Sequence, residues 1–270
     1  MEENKSLSKE GKSFDLMTQI PNFFTLLNLV FGCLAIITIL QNGIAISGND
    51  EGATWIDIPE SIWYASLFIG LAAIVDFLDG FVARIFKATS EMGKQLDSLA
   101  DVISFGVAPG MIIYQFLRLS LAKEVNGLNT SIIWVLPAFF IPCAAAWRLA
   151  RFNLDTTQSY SFKGLPVPAA GLFIASFPLI YWNVNESWVR DWLLNKWFLY
   201  AVVVIISWLM ISTIPLMSLK IKDFSLKSNL SKLILIIVAI GAIIFFQWLS
   251  APIIVLAYVL ISLLFKNKPA

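Results

Sequence analysis

The feature that most constrains this chain is a series of eight apolar stretches separated by short polar segments. A helix needs about 20 apolar residues to cross the roughly 30 Å hydrocarbon core of a bilayer. Charged residues make up 14% of the chain, whereas a soluble domain carries about 25%. The sequence therefore predicts an all-α, polytopic transmembrane helical bundle. The predicted spans are 23–41, 62–85, 96–117, 132–152, 166–182, 197–219, 230–249 and 252–265.

No linker of Gly, Ser or Pro divides these spans, so we expect one membrane domain in three parts. Residues 1–20 would form a cytoplasmic or interfacial segment, and residues 21–219 a core of six spans. Residues 220–270 would add a C-terminal transmembrane hairpin, with a tight turn at Ser250-Ala251-Pro252. A re-entrant last segment is the alternative, and the sequence does not reveal what the extension does.

The distribution of basic residues predicts the orientation of the bundle. If the N-terminus is cytoplasmic, all but four of the 19 Lys and Arg residues fall on the cytoplasmic side, as the positive-inside rule requires. The first 20 residues carry acidic side chains and no cleavable apolar region, so we do not expect a secretory signal. We expect an integral protein of the inner (cytoplasmic) membrane. The four external residues are Arg118, Lys123, Arg190 and Lys196.

The chain contains no histidine, which limits the metals it can bind. Any metal must be held by oxygen atoms, and oxygen ligands favour hard cations such as Mg²⁺ or Mn²⁺ over Zn²⁺. Acid–base chemistry must likewise use carboxylates, Lys or Tyr. The two cysteines, Cys33 and Cys143, lie in apolar runs, and we expect them to pack as small core residues.

Four aspartates interrupt the apolar pattern: Asp76 and Asp79 in the second span, and Asp97 and Asp101 in the third. An aspartate at mid-membrane costs about 2.5–3.5 kcal/mol, so four of them require compensating cations. Helical spacing places each pair on one face, and the two helices are expected to be antiparallel neighbours around a cytoplasmic cleft. A pair of divalent cations would satisfy the carboxylates and is suited to holding phosphate oxygens. A structural ion pair of Asp76 or Asp79 with Arg84 is the alternative.

The spacing of these aspartates resembles the signature of the CDP-alcohol phosphatidyltransferase family. Residues 104–109, 148–153 and 163–170 are also similar to the phosphatidylserine synthase branch of that family, and residues 21–28 to the segment before its first span. The resemblance covers about residues 20–215. All eight fixed positions of the motif are present, as Asp76-x2-Asp79-Gly80-x2-Ala83-Arg84-x8-Gly93-x3-Asp97-x3-Asp101.

The resemblance implies transfer of a phosphatidyl group from CDP-diacylglycerol to an alcohol, with release of CMP. It implies a site for Mg²⁺ or Mn²⁺, with two ions, in which Asp101 also serves as the general base. The implied metal ligands are Asp76, Asp79, Asp97 and Asp101. The residues implied to accommodate the CDP moiety are Gly80, Ala83, Arg84 and Gly93.

The branch resemblance implies L-serine as the acceptor and phosphatidylserine as the product. Arg148 and Arg151 lie three residues apart at the end of the fourth span, so they share a face. With Lys163, they are the predicted acceptor- or phosphate-binding residues, and positive-inside anchoring is the alternative explanation. The resemblance also implies a homodimer in the lipid membrane, and we do not expect nucleic acid as a partner.

Three other functions fit parts of the sequence. An enzyme of the same family could use glycerol 3-phosphate or inositol phosphate as the acceptor, or an archaeal-type ether lipid as the donor. A membrane cation transporter could also carry intramembrane aspartates, although it gives no reason for the Gly-x2-Ala-Arg spacing. An intramembrane prenyltransferase has Asp-rich helices but lacks the Asp-Gly-x2-Ala-Arg run.

Overall fold

The computed structural model describes residues 16–48, 54–86, 90–124, 129–154, 162–217 and 226–265. These residues are mostly helical, and each predicted span contains a helix, or α3 and α4 together for the third span. The predicted limits are wrong for two spans: the fourth begins in two 3₁₀ turns before Phe140, and the helix of the sixth ends at Ile211. Most of the predicted N-terminal segment, residues 1–15, lies outside the described residues. The helices are α1 Leu16–Gln41, α2 Trp63–Ile85, α3 Glu91–Asp101, α4 Ala108–Ala122, α5 Phe140–Leu154, α6 Val167–Asn183, α7 Ser187–Leu193, α8 Lys196–Ile211, α9 Leu226–Phe246 and α10 Ser250–Leu264.

Two small antiparallel sheets connect the helices. One is a ribbon between α1 and α2, in which Ile46 pairs with Ile56. The other joins the segment before α6 to the segment after α8, and Lys163 pairs with Pro215. The strands are β1 Ala45–Gly48, β2 Thr54–Asp57, β3 Phe162–Lys163 and β4 Pro215–Leu216.

Four helical stretches of the described residues are long and apolar enough to cross a membrane, and they confirm the prediction of an all-α membrane protein. They are Ile20–Gln41, Glu60–Ile85, Glu91–Ala122 and Asn229–Leu264. The bent pair α7 and α8, at 61°, adds a fifth if it is taken as one span. The count of eight spans stays a prediction.

The C-terminal stretch is divided by a 3₁₀ turn at Gln247–Leu249, in which Gln247 has a positive φ of 42°. The helices α9 and α10 pack against each other on either side of this turn. That contact supports the predicted hairpin, although the turn lies before Ser250-Ala251-Pro252, and Pro252 belongs to α10.

Large apolar side chains cover the outside of the bundle. Phe77 is 66% exposed and Leu264 is 81% exposed, which is costly in water and favourable against lipid. Cys33 and Cys143 also lie on this exposed surface, so the prediction that they pack in the core is wrong. Periodicity alone does not distinguish a core-facing from a lipid-facing position, because both are apolar.

A π-helical turn at Val102–Val107 interrupts the helix between α3 and α4. Pro109 follows one residue later, after Ala108. It has no N–H to donate to a carbonyl of the preceding turn, and a widened turn relieves the clash of its ring. At Gly106, a Cβ would lie 3.1 Å from the Ala145 Cβ and 3.3 Å from the Pro142 Cα. The glycine therefore lets α5 approach this turn closely.

Gly164 follows β3 in the chain and packs against the end of α8. Its φ of +77° is the left-handed conformation that glycine adopts readily. A Cβ here would lie 2.6 Å from the Met210 carbonyl oxygen and 2.7 Å from that of Ser212. The Gly164 N–H donates to the Ile214 carbonyl at 2.9 Å. Residues 163–165 are thereby fixed to the end of α8.

Candidate active site

The helix α1 packs against both α2 and α3, which carry the four aspartates. The helices α2 and α3 make few backbone contacts with each other. They nevertheless face each other across a cleft with α1 at its back, because carboxylate oxygens of Asp76 on α2 and of Asp97 and Asp101 on α3 lie within 4.8 Å of one another, as predicted for neighbouring helices. A polar cleft needs this separation, since closely packed helices would leave no room for ligands between the carboxylates.

Three of the aspartates converge at this cleft. One carboxylate oxygen from each of Asp76, Asp97 and Asp101 lies within 4.8 Å of the other two. Asp101 is buried, and the Oδ1 atom of Asp97 is buried without a hydrogen-bond partner among the described residues. The geometry thus gathers negative charge from two helices into one small volume.

Within the described part of the chain, no Lys or Arg forms a salt bridge with these carboxylates. The Arg84 Nε instead donates to the Gly80 carbonyl at 2.8 Å, so the alternative of a structural ion pair with Asp76 or Asp79 is not formed. Grouped, buried carboxylates are unfavourable unless a cation compensates them. The donor set consists of oxygen atoms, and the orphaned Asp97 oxygen is an open ligand, so the group fits a hard divalent cation.

Asp79 lies beside this group and is held by α1. The Thr25 Oγ1 is 2.9 Å from the Asp79 Oδ2 and 3.1 Å from the Pro21 carbonyl, so its single proton is shared between two acceptors. Asp79 is not within the 4.8 Å group, although it lines the same cleft as Asp97. Its role as a metal ligand stays a prediction.

Asn28 of α1 holds Asp101 in a similar way. The Asn28 Nδ2 donates to the Asp101 Oδ1 at 3.2 Å, and Ser104 in the π-helical turn donates to the Asn28 carbonyl at 3.0 Å. Asn28 is fully buried, and its Oδ1 lacks a partner among the described residues. The sequence reasoning assigned no role to Thr25 or Asn28. Their spacing with Asn22, every three residues on an apolar helix, is the signal that could have found them.

A cleft of about 340 Å³ opens beside Asp79 and Asp97. Gly80, Ala83 and Gly93, three of the four predicted CDP-binding residues, are part of its wall, and Arg84 is not. A Cβ on Gly80 would meet nothing within 4 Å, so this wall is bare and open to a ligand. The lining residues are Pro21, Asn22, Thr25, Asp79, Gly80, Ala83, Ser90, Glu91, Gly93, Lys94 and Asp97.

The predicted acceptor-binding residues occupy different environments. Arg148 is 7% exposed, lies within electrostatic range of Asp101, and has a buried Nε without a partner among the described residues. Arg151 instead donates to the Ile211 and Ser212 carbonyls at 2.8 and 3.0 Å, at the C-terminus of α8. Lys163 lies on β3. Arg148 is therefore the residue best placed to meet a ligand near the aspartates.

The sequence profile of the CDP-alcohol phosphatidyltransferase family matches residues 18–209. The chain belongs to this family. The match contains every predicted site residue and all the helices around the cleft, whereas α9 and α10 lie beyond it. Divalent-metal dependence is general among CDP-alcohol phosphatidyltransferases, in agreement with the acidic group described above.

Three curated relatives of this chain carry the same name, CDP-diacylglycerol–serine O-phosphatidyltransferase. The Helicobacter pylori (strain 26695) protein is 34% identical over 193 residues, which are 68% of this chain and 74% of the relative. The Bacillus subtilis (strain 168) protein is 32% identical over 171 residues, 61% of this chain and 78% of the relative. The Saccharomyces cerevisiae protein is 35% identical over 175 residues, 61% of this chain and 55% of the relative.

The contact between Asn28 and Asp101 leads to a test within this family fold. We expect Asn28→Ala to lower kcat about tenfold to a hundredfold, because a hydrogen bond to a charged group is worth about 1.5–3 kcal/mol. Asn183→Ala is a matched control, since the Asn183 amide donates to the Leu179 carbonyl at 2.9 Å on an exposed part of α6. Turnover is measured as CMP release at saturating metal. An Asn28→Ala enzyme as fast as the control would contradict the role of this contact.

Proposed function

We propose that this protein transfers the phosphatidyl group of CDP-diacylglycerol to L-serine, giving phosphatidylserine and CMP. The observation that carries the proposal is the group formed by Asp76, Asp97 and Asp101 beside a bare-walled cleft. The acceptor follows from the shared name of the curated relatives. Both the lipid donor and the lipid product explain why the site lies within a membrane bundle.

The chain supplies the binding surface for the donor. Gly80, Ala83 and Gly93 leave a flat wall against which the CDP moiety lies, and Arg84 stands next to that wall. A Cβ at Gly93 would lie 2.9 Å from the Asn22 Oδ1, so a larger residue there would displace the Asn22 side chain. A Cβ added at Gly80 would meet no neighbour within 4 Å, so the backbone there is open to the donor.

The aspartates supply the reacting groups. Asp76, Asp79, Asp97 and Asp101 would hold two Mg²⁺ or Mn²⁺ ions, which supply positive charge to the phosphoryl oxygens when bound. The carboxylate of Asp101 takes the proton of the serine hydroxyl as that oxygen forms a bond to phosphorus. The bond from phosphorus to the bridging oxygen of CMP breaks, and CMP leaves with that electron pair. Asn28 holds the base in place.

Arg148 would bind the carboxylate of serine. A guanidinium offers two parallel N–H groups to a carboxylate, and a buried Arg148 without a partner on Nε has donors available. Arg151 and Lys163 are attached to the end of α8 and to the strand that follows it. We propose that both also contact the acceptor directly.

The assignment is tested by CMP release from CDP-diacylglycerol by the purified protein. Serine with Mg²⁺ or Mn²⁺ should give turnover, and chelation of the metal should abolish it. Glycerol 3-phosphate, inositol phosphate and serine amide, which lacks the carboxylate, should be poor acceptors. Turnover with glycerol 3-phosphate or inositol phosphate and none with serine would overturn the acceptor. Transport of a cation without CMP release would overturn the reaction class.

We further propose that the N-terminus and the active site face the cytoplasm across the inner membrane. The bias of basic residues supports this orientation. In a variant lacking both native cysteines, Ala88→Cys, between α2 and α3, should react only with reagents that enter the cell. Asn185→Cys, between α6 and α7, should react with an impermeant reagent from outside. The opposite pattern would reverse the orientation.

A homodimer is also part of the proposal, on the strength of the family resemblance. Light scattering of the detergent-solubilised protein, corrected for bound detergent, should give twice the chain mass of 30.1 kDa. A monomeric mass in active preparations would contradict the proposed homodimer.

A further inference from the structure

A ring of three hydrogen bonds joins the first part of α3 to the end of α5. The Lys94 ammonium donates to the Asn153 carbonyl at 3.1 Å, and the Asn153 side-chain amide donates to the Ser98 hydroxyl at 2.8 Å. The Ser98 hydroxyl in turn donates to the Lys94 carbonyl at 3.2 Å. The helices α3 and α5 also pack against each other. We call Lys94, Ser98 and Asn153 the α3–α5 clasp, because contacts between two helices set the position of the Lys94 side chain.

Lys94 also lines the cleft beside Asp79 and Asp97, where the proposed function places the donor. It is the one basic residue among the described residues that line this cleft, whereas Glu91 adds a third carboxylate to the wall. In the part of the chain that the structure describes, Lys94 forms no salt bridge with any of the three. The wall of the donor cleft therefore carries one positive charge that no carboxylate has paired.

The chemistry of Lys94 suits a phosphate group. A lysine ammonium has three N–H donors, and among the described residues only the Asn153 carbonyl accepts from it. The side chain is exposed, so a ligand in the cleft can reach the remaining donors. A diphosphate is anionic, and the three carboxylates of the wall repel it unless cations offset them. Lysine binds phosphate as a point charge, and a side chain that is already held loses less conformational entropy when a ligand binds.

We propose that Lys94 binds a phosphate oxygen of the CDP-diacylglycerol donor, and that the α3–α5 clasp holds Lys94 at the cleft for this contact. The proposal rests on the function proposed above, since that function places the CDP moiety against this wall. Asn153 is then a positioning residue that acts through Lys94. Donor binding depends on α5 in this arrangement, although the described residues that line the cleft all come from residues 21–97.

The first test is donor binding by Lys94→Met, which removes the charge and keeps a side chain of similar length. The Kd for CDP-diacylglycerol is measured by calorimetry in detergent, with Mg²⁺ and without an acceptor. It should rise about tenfold, the lower end of the range for a hydrogen bond to a charged group, because Lys94 is exposed. Lys196→Met is the matched control and should leave this Kd unchanged, since Lys196 pairs with Glu124 at 2.6 Å and does not line the cleft.

Helix capping is the alternative role for Lys94. Asn153 lies in the last turn of α5, where carbonyls lack partners within the helix and a nearby cation is favourable. A capping role alone predicts that Lys94→Met has a lower thermal stability in detergent and an unchanged Kd for CDP-diacylglycerol. That result would overturn the proposal.

A double-mutant cycle tests the clasp. Asn153→Ala breaks the bond to Ser98 and keeps the carbonyl that accepts from Lys94, so the Kd for CDP-diacylglycerol should rise about threefold, as for a lost neutral hydrogen bond. Asn183→Ala, on an exposed part of α6, should leave this Kd unchanged. In a Lys94→Met background, Asn153→Ala should have no further effect, because the residue through which it acts is absent. An equal rise in both backgrounds, or none in either, would overturn the positioning role.

The binding measurement separates this inference from the proposed function, because it needs no acceptor. If Lys94→Met weakens donor binding but serine gives no CMP release with the wild type, the proposed acceptor fails and the contact of Lys94 stands. If serine gives CMP release and Lys94→Met binds CDP-diacylglycerol as tightly as the wild type, the contact fails alone. A wild type that binds no CDP-diacylglycerol would overturn both.

Discussion

Asp97→Asn should lower CMP release by at least about a thousandfold while leaving the protein folded and inserted. Asparagine keeps the size of the side chain and removes the charge from the group formed with Asp76 and Asp101. Several kcal/mol of stabilisation of the developing phosphoryl charge would be lost with the cation, and each 1.36 kcal/mol is tenfold in rate. The same result is expected for Asp79→Asn if Asp79 is a ligand as predicted.

Asp191→Asn is the matched control for these variants, since Asp191 is an exposed aspartate of α7, remote from the cleft. Binding of Mn²⁺ is followed by electron paramagnetic resonance, and folding by size exclusion in detergent. We expect Asp97→Asn to lose the bound Mn²⁺ signal and Asp191→Asn to retain it. Near-normal turnover of Asp97→Asn at saturating metal would remove Asp97 from the metal site. An Asp101→Asn enzyme with the full rate of CMP release would contradict the role of Asp101 as the general base.

Arg148→Ala should raise the KM for serine about tenfold to a hundredfold and change the KM for CDP-diacylglycerol much less. The expected loss is one charge-assisted hydrogen bond to the serine carboxylate, worth about 1.5–3 kcal/mol. Initial rates of CMP release at varied serine and varied CDP-diacylglycerol give the two constants. Equal increases in both constants would show that Arg148 supports the fold or the donor instead.

Arg151→Ala provides the contrast, because the Arg151 guanidinium donates to two carbonyls at the C-terminus of α8. A cation there is favourable for the helix dipole, and both hydrogen bonds would be lost. We expect its main effect on thermal stability in detergent, with a smaller rise in the KM for serine than for Arg148→Ala. A larger rise than for Arg148→Ala would exchange the roles of the two arginines.

The helical architecture and the approximate limits of the helices were predictable, because apolar length and charge placement respond directly to the bilayer. The convergence of Asp76, Asp97 and Asp101 was also predictable from helical spacing. What hydropathy could not show was the arrangement of helices around the cleft. Every helix of this kind is apolar on most of its surface, so the pattern does not reveal which neighbours each helix has.

The details that the sequence did not reveal depend on tertiary contacts. The π-helical turn before Pro109 has no distinctive local sequence pattern that separates it from an α-helical turn. Arg148 and Arg151 are three residues apart and look equivalent in the sequence. Of the two, Arg151 is the one that donates hydrogen bonds to the carbonyls at the end of α8. Arg151 and the Ile211 carbonyl at the end of α8 are 60 residues apart in the sequence. No local pattern records such a pairing.

The hydrogen bonds from α1 to the aspartates have a consequence for how the protein is made. Thr25, Asn28 and the aspartates that they hold all precede α4. A ribosome adds about 5–20 residues per second and releases the N-terminal part first, so the acidic site can assemble while α4 to α10 are still being synthesised. Arg148 follows only with α5. The residues assigned to the metal and the donor are therefore all made before the residues assigned to the acceptor.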